Sequence, residues 1–277
     1  MSRQIIVALL SVTLSSAQRI DSIYLAHTGS PSALVFRPLL AAIFEPRMGS
    51  QYTSLQRLRL DIGYSADVFS SYAGTNIWAI GVDAFTYTRL RAEPNLKFPV
   101  ETIDYMFGIN TSHCWGVDSA VIGMFRLRLS HISAHFADGL ADTAGVLEER
   151  PFVYSREFAD GIIAVEWQKL GIRLYGGGTF LFSVKELPAQ VSRVIPQGGI
   201  EWYGRAWLPI AIGYDIRMVG VDNRYVPSHA FQIAAEIVRQ NTSALAFCGY
   251  WYSGYSIHGM FFKRREQYFA VGVQVLF

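Results

Sequence analysis

Arg57-Leu58-Arg59-Leu60-Asp61-Ile62-Gly63-Tyr64-Ser65-Ala66-Asp67-Val68 alternates without a break. Leu58, Leu60, Ile62, Tyr64, Ala66 and Val68 share one parity; Arg57, Arg59, Asp61, Gly63, Ser65 and Asp67 share the other. Successive side chains of an extended chain point to opposite faces, so this segment offers one face to hydrocarbon and the other to charge. The pattern returns where Ile103, Tyr105, Phe107 and Ile109 oppose Asp104, Met106, Gly108 and Asn110. It returns again where Val121, Phe125, Leu127 and Leu129 oppose Arg126, Arg128 and Ser130. Leu208 to Met218 and Phe231 to Ile237 repeat it, with Asp215, Arg217, Gln232 and Glu236 on the polar parity. Segments of about 10 to 16 residues are long for soluble strands and suit a tilted bilayer crossing.

Eleven such segments are legible, at about 57–70, 76–91, 99–113, 118–135, 152–168, 170–184, 191–204, 206–221, 228–240, 243–256 and 265–277. Membrane barrels of one bacterial chain carry even strand numbers, which places a twelfth strand at about 47–55. The reading is an all-β, antiparallel transmembrane barrel of about twelve strands, with both termini periplasmic. Connections near 169, 205 and 241–242 are then short and periplasmic. Those at 92–98, 136–151, 185–190, 222–227 and 257–264 are longer and extracellular, the asymmetry such barrels show. Trp78, Trp115, Trp167, Trp202 and Trp207 fall near periplasmic strand ends as an aromatic girdle, with Trp251 the exception. In the last segment Phe269, Val271, Val273, Val275 and Phe277 share a face, and a terminal phenylalanine resembles the signal by which the bacterial assembly machinery takes up barrels.

Composition agrees. The chain is 51% hydrophobic and only 17% charged, yet after the first residues it holds no apolar run long enough for a spanning helix. A net charge of +2 gives no footprint for nucleic acid. Arg3, the apolar stretch Ile5–Leu14 and the small residues Ser15-Ser16-Ala17 read as a removable signal peptide. The domain plan is therefore a signal at 1–17, an N-terminal periplasmic segment at 18–46 and the barrel at 47–277, with the bacterial outer membrane as its place. Outer-membrane lipid, lipopolysaccharide and, through Phe277, the assembly machinery are the expected partners.

Pro38-Leu39-Leu40, Glu45-Pro46-Arg47, the run Arg126-Leu127-Arg128-Leu129-Ser130-His131-Ile132-Ser133-Ala134-His135 and on to Asp138, Leu174-Tyr175-Gly176-Gly177-Gly178 and Gly199-Ile200-Glu201-Trp202 resemble a family of bacterial outer-membrane proteins, the domain-of-unknown-function family 1207. The resemblance implies a barrel and no established activity.

His131-x-Ser133 is the sharpest chemical candidate. Residues two apart on a strand share a face, and here that face also carries Phe125, Leu127 and Leu129, so the pair points to lipid. It is similar to the His-x-Ser of outer-membrane phospholipase A and of the lipid A deacylases, whose nucleophilic serines face lipid. The Asn-Gly that follows the phospholipase serine is absent; Ala134, His135 and Phe136 follow here. If Ala120 pairs with Gln168, His131 lies opposite Glu157 and Ser133 opposite Ser155. A serine needs a base and the base an orienting group, so Ser133, His131 and Glu157 form the candidate triad of a lipid hydrolase. Only that alternative calls for a cofactor, calcium; otherwise none is expected.

The other parity gathers Arg57, Arg59, Asp61, Asp83, Arg89, Asp104, Arg126, Arg128, Asp160, Glu166, Arg173, Glu201, Asp215, Arg217 and Glu236 in the lumen. Mixed signs fit either a salt-bridged plug or a narrow porin-like channel. Phe85, Tyr87 and Tyr175 inside favour partial filling. Residues 18–46 mix Pro31, Pro38 and Pro46 with apolar residues, and are expected along the periplasmic rim or in the lumen mouth. Cys114, expected in a turn, and Cys248, in a strand, leave a bridge possible. No metal-ligand spacing occurs, and Gly176-Gly177-Gly178 reads as relief of crowding or a bend. The primary reading is thus a structural barrel or a small-solute pore, with the hydrolase as the alternative.

Overall fold

The computed structural model describes residues 34–117, 119–141, 150–185, 189–204, 209–240 and 243–276. The expected signal peptide, Trp207, Leu208 and Phe277 lie outside these residues. Twelve strands follow in chain order: β1 (Met48–Thr53), β2 (Arg57–Ala73), β3 (Asn76–Arg91), β4 (Val100–Trp115), β5 (Val121–Phe136), β6 (Tyr154–Trp167), β7 (Ile172–Val184), β8 (Val194–Tyr203), β9 (Ile210–Val221), β10 (Arg224–Gln240), β11 (Ser243–Tyr255) and β12 (Arg265–Leu276). Each pairs antiparallel with its sequence neighbours, and β1 closes on β12 from Met48 opposite Val275 to Thr53 opposite Ala270. Closure removes every sheet edge and satisfies the backbone within the ladder, the condition for strands in hydrocarbon.

The expected parity holds around the barrel. Ile62, Tyr64, Ile80, Val82, Phe107, Ile109, Leu174, Phe180, Phe247, Phe269 and Val271 are exposed on the outside, while Arg59, Asp61, Asp83, Arg126, Arg128, Arg173 and Glu201 are buried inside. Trp78, Trp115, Trp167 and Trp202 stand near the strand ends at the rim of the β2–β3, β4–β5, β6–β7 and β8–β9 connections. That is the rim where β1 begins and β12 ends.

Two local expectations need correction. The connection placed at 222–227 is only two residues long, because β10 begins at Arg224 and Asp222 and Asn223 carry φ of 47° and 62°. Two successive left-handed residues make the tight hairpin turn whose twist matches the strands. Pro227, which reads as a strand breaker, lies within β10 opposite Met218. Cys114 lies inside β4 rather than in a turn, and Cys114 and Cys248 are buried thiols that no disulfide joins.

In the triple glycine, crowding is real at Gly177 and Gly178 and absent at Gly176. A Cβ on Gly177 would fall onto the carbonyl oxygen of Gly161, whereas one on Gly176 meets nothing nearer than Gln197 O at 3.9 Å. Gly177→Ala should therefore cost about 1–3 kcal/mol by overpacking, and Gly176→Ala no more than about 0.5 kcal/mol. The temperature at which the folded band disappears from a gel separates the two; equal losses would refute the assignment.

The core of the molecule sits in the lumen. Residues 34–47 run through it without regular secondary structure, with Leu34, Val35, Phe36, Leu39, Leu40, Ala41, Ala42 and Ile43 all buried. The segment thus enters the barrel rather than lying on its rim. From the other end the 256–264 connector dips inward around a 3₁₀ turn at Gly259–Phe261, burying Ile257, Met260, Phe261 and Phe262.

Candidate functional site

An irregular segment inside a barrel has no ladder for its backbone groups, and buried backbone groups must find partners. Here the lumen side chains supply them. Val35 N donates to Asp67 Oδ2 at 2.7 Å, and Leu40 N donates to Glu201. Arg173 donates to the carbonyls of Arg37 at 2.9 Å and Pro38 at 3.0 Å, and Arg128 to that of Phe44 at 3.3 Å. Arg47 turns back on its own segment, onto Ala42 O at 2.7 Å.

Charge pairing locks the same segment to the wall. Arg37 Nη2 lies 3.0 Å from Glu166. Glu45 accepts from both terminal nitrogens of Arg126, at 2.8 Å for Nη1, and stands 3.5 Å from Arg128. Arg128 also donates to Asp83 at 3.0 Å, which in turn takes Asn110 and Ser65. Arg126 reaches Asp160 at 3.3 Å, and Arg59 pairs with Asp61 at 2.6 Å. The lumen charges expected from parity thus form a network, and its centre is Glu45. Asp215 belongs to the wall alone, taking Tyr175 OH at 2.8 Å and Gln197 at 2.7 Å. Arg57 joins Arg89 on Glu101 near the loop rim, Asp104 holds His258 at 2.8 Å, and Glu236 pairs with Arg239.

The outer face carries the second constellation. β5 pairs with β6 so that His131 faces Glu157 and Ser133 faces Ser155, the register expected from Ala120 and Gln168. Ile132 and Ala134 are buried inside, which turns His131 and Ser133 outward. His131 Nδ1 lies 3.1 Å from Glu157 Oε1, the two side chains being 28% and 32% exposed. Phe107 on β4 flanks the imidazole at 5.0 Å. Ser133 lies one strand repeat along, about 6.7 Å by strand geometry, between Tyr105 and Ser155. With Nδ1 engaged by the carboxylate, Nε2 is the nitrogen left to take a proton.

Three participants escaped the sequence reading. Glu45 sits in a proline-broken segment with no periodicity to mark its direction. Arg156 shares the inward parity of Phe158 and Asp160, a signal that was present. Phe107 was placed outward, but its contact with His131 depends on the β4–β5 register.

Among solved structures, Escherichia coli outer membrane phospholipase A is similar over 82% of this chain and 88% of its own, with a TM-score of 0.58 at 9% identity. The transport unit of the autotransporter AIDA-I from Escherichia coli gives a TM-score of 0.37 at 8% identity, over 94% of this chain and 97% of its own. No curated protein matches the chain in sequence. The first similarity places the fold among outer-membrane barrels. Residues 75–277, from the turn before β3 to the end of the chain, match the family described as protein of unknown function DUF1207, and the chain belongs to that family.

Proposed function

We propose that this chain is a non-conducting barrel of the bacterial outer membrane. Its ends and short turns face the periplasm, and its lumen is closed by its own residues 34–47. The observation that carries the reading is the Glu45–Arg126–Arg128 cluster, which fixes the segment across the lumen where a pore would need water. The apolar exterior supports the membrane, since a monomer in water rarely exposes contiguous apolar patches beyond a few hundred Å². Phe277 would serve as the mark read by the assembly machinery, and lipopolysaccharide and phospholipid would be the surrounding partners. Purified protein in planar bilayers should show no steady current, and liposomes containing it should not swell in small sugars. A stable single-channel conductance from the intact chain would refute the closed lumen.

A second reading is favoured by one contact, that of His131 Nδ1 with Glu157. Ser133 would attack a lipid ester carbonyl, His131 Nε2 would take its proton, and Glu157 would hold the ring in the required tautomer. Outer membrane phospholipase A shares the fold, and the name of that protein supplies the substrate class to test. Ladder backbone has few donors to spare for an oxyanion, so an added calcium ion is a condition of the assay. The two readings are compatible, because the lumen and the outer face are separate surfaces of one wall.

A further inference from the structure

Between residues 34–47 and the inward-turned 256–264 connector the lumen keeps space that the plug network does not use. Two adjoining cavities of about 50 Å³ each share Phe44, Tyr154, Arg156, Ile195 and Arg217 as walls. Met106, Ile132, Phe158 and Leu181 make the first largely apolar, and Val191, Ile257 and Phe262 bring the second up to the loop rim.

Two guanidinium groups stand at the junction. Arg217 is 6% exposed; its Nη2 donates to Thr179 at 3.2 Å and its Nε has no partner among the described residues. Arg156 rests on the rings of Tyr154 at 4.4 Å and Phe262 at 5.6 Å, and its buried Nε and Nη2 have no hydrogen-bond partner among the described residues. Neither makes an ion pair among the described residues, whereas Arg37, Arg59, Arg126, Arg128 and Arg173 all do. The carboxylates on the same wall are taken. Glu45 and Asp160 serve Arg126, and Asp215, though within electrostatic reach of Arg217, accepts its hydrogen bonds from Tyr175 and Gln197. An arginine stays charged at any accessible pH, and a buried charge without a counter-charge is costly.

We infer that this cavity binds an amphiphilic oxyanion. Its carboxylate or phosphate head would lie between Arg156 and Arg217, which offer forked donors suited to either. Its hydrocarbon part would lie along Met106, Ile132, Phe158, Leu181 and Ile195. The site needs neither a conducting lumen nor a reactive Ser133.

The test is calorimetric titration of the whole chain, in a nonionic detergent, with decanoate and decyl phosphate; decanol and acetate serve as comparisons. At least one oxyanion should bind saturably, at least tenfold more tightly than decanol or acetate. Arg217→Gln and Arg156→Gln should each weaken it tenfold or more, and Arg91→Gln at the rim should not. No saturable binding, decanol binding as tightly as decanoate, or affinity unchanged in both variants overturns the site. Should either variant lose the folded band, the parent decides. Its unfolding temperature should rise with the oxyanion and stay fixed with decanol, and a fixed temperature with both overturns the proposal. Arg156→Met adds an independent readout, since removing a half-buried cation that has no ion-pair partner among the described residues should leave the empty barrel at least as stable. A loss as large as that of Arg128→Met would place Arg156 in the structural network and refute its role.

Discussion

Glu45→Ala is expected to destabilise the barrel by about 3–5 kcal/mol, the range for breaking a buried pair by removing one partner. Glu45 is 3% exposed, and two guanidinium groups converge on it. Its removal leaves Arg128 with Asp83 and Arg126 with only the longer contact to Asp160. Neither cation can turn to bulk water, because Phe44 and the β5–β6 wall surround them. Glu236→Ala is the comparison, because its partner Arg239 is 37% exposed and a pair of that kind is worth no more than about 1 kcal/mol. The readout is the temperature or urea concentration at which the folded, fast-migrating gel band is lost. In planar bilayers the same variant should show brief openings absent from the parent, as the segment loses its anchor. An unchanged midpoint together with a silent membrane would mean that Glu45 does not hold the segment.

Ser133→Ala and His131→Ala are each expected to abolish release of fatty acid from phospholipid or lipopolysaccharide in mixed micelles, by about 10⁴-fold or more. A nucleophile and its base act as a unit, so losing one costs nearly as much as losing both. Glu157→Gln should cost less, because the amide can still meet the ring but cannot offset its charge. All three should keep the folded gel band, since their side chains lie on the outer face and none bridges to the plug. Ser155→Ala is the control, being the serine across the ladder from Ser133 with no histidine two residues away. The assay is run with and without calcium. If the parent releases no fatty acid in either condition, or Ser133→Ala matches the parent, the hydrolytic reading ends.

The barrel was legible because one physical fact writes itself into every strand. Hydrocarbon outside and charge inside impose a period of two, and β2, β4, β5 and β9 repeat it. The β5–β6 register entered only as a condition, Ala120 opposite Gln168, and the observed pairing of His131 with Glu157 meets it. Legibility failed where a local signal had two meanings. Asp222-Asn223 is a tight-turn signature that the placement of a loop at 222–227 passed over, and Pro227 sits within β10, where a proline is tolerated if its missing N–H is not needed. It failed more fully at Glu45. No periodicity governs a segment whose partners come from β2, β3, β5, β6, β7 and β8 at once, so the sequence shows its greasiness and its prolines but not its direction. Arg156 was legible by parity. Its lack of an ion-pair partner was not, because that depends on which carboxylates the other arginines have already claimed.

The plug runs directly into the seam. Arg47, the last residue of the buried segment, is followed at once by Met48, the first residue of the strand that zips against β12. Leu40 and Glu201 are separated by 161 positions, and Glu45 and Arg126 by 81, so the contacts that seat the plug exist only after most of the wall is laid down. Pairings so distant in sequence form late and slowly. Zipping β1 onto β12 is therefore expected to do two things together: to seal the cylinder and to seat residues 34–47 inside it. An assembly pathway that held the seam open would be holding the interior open with it, and the order of events in biogenesis is written into a single peptide bond.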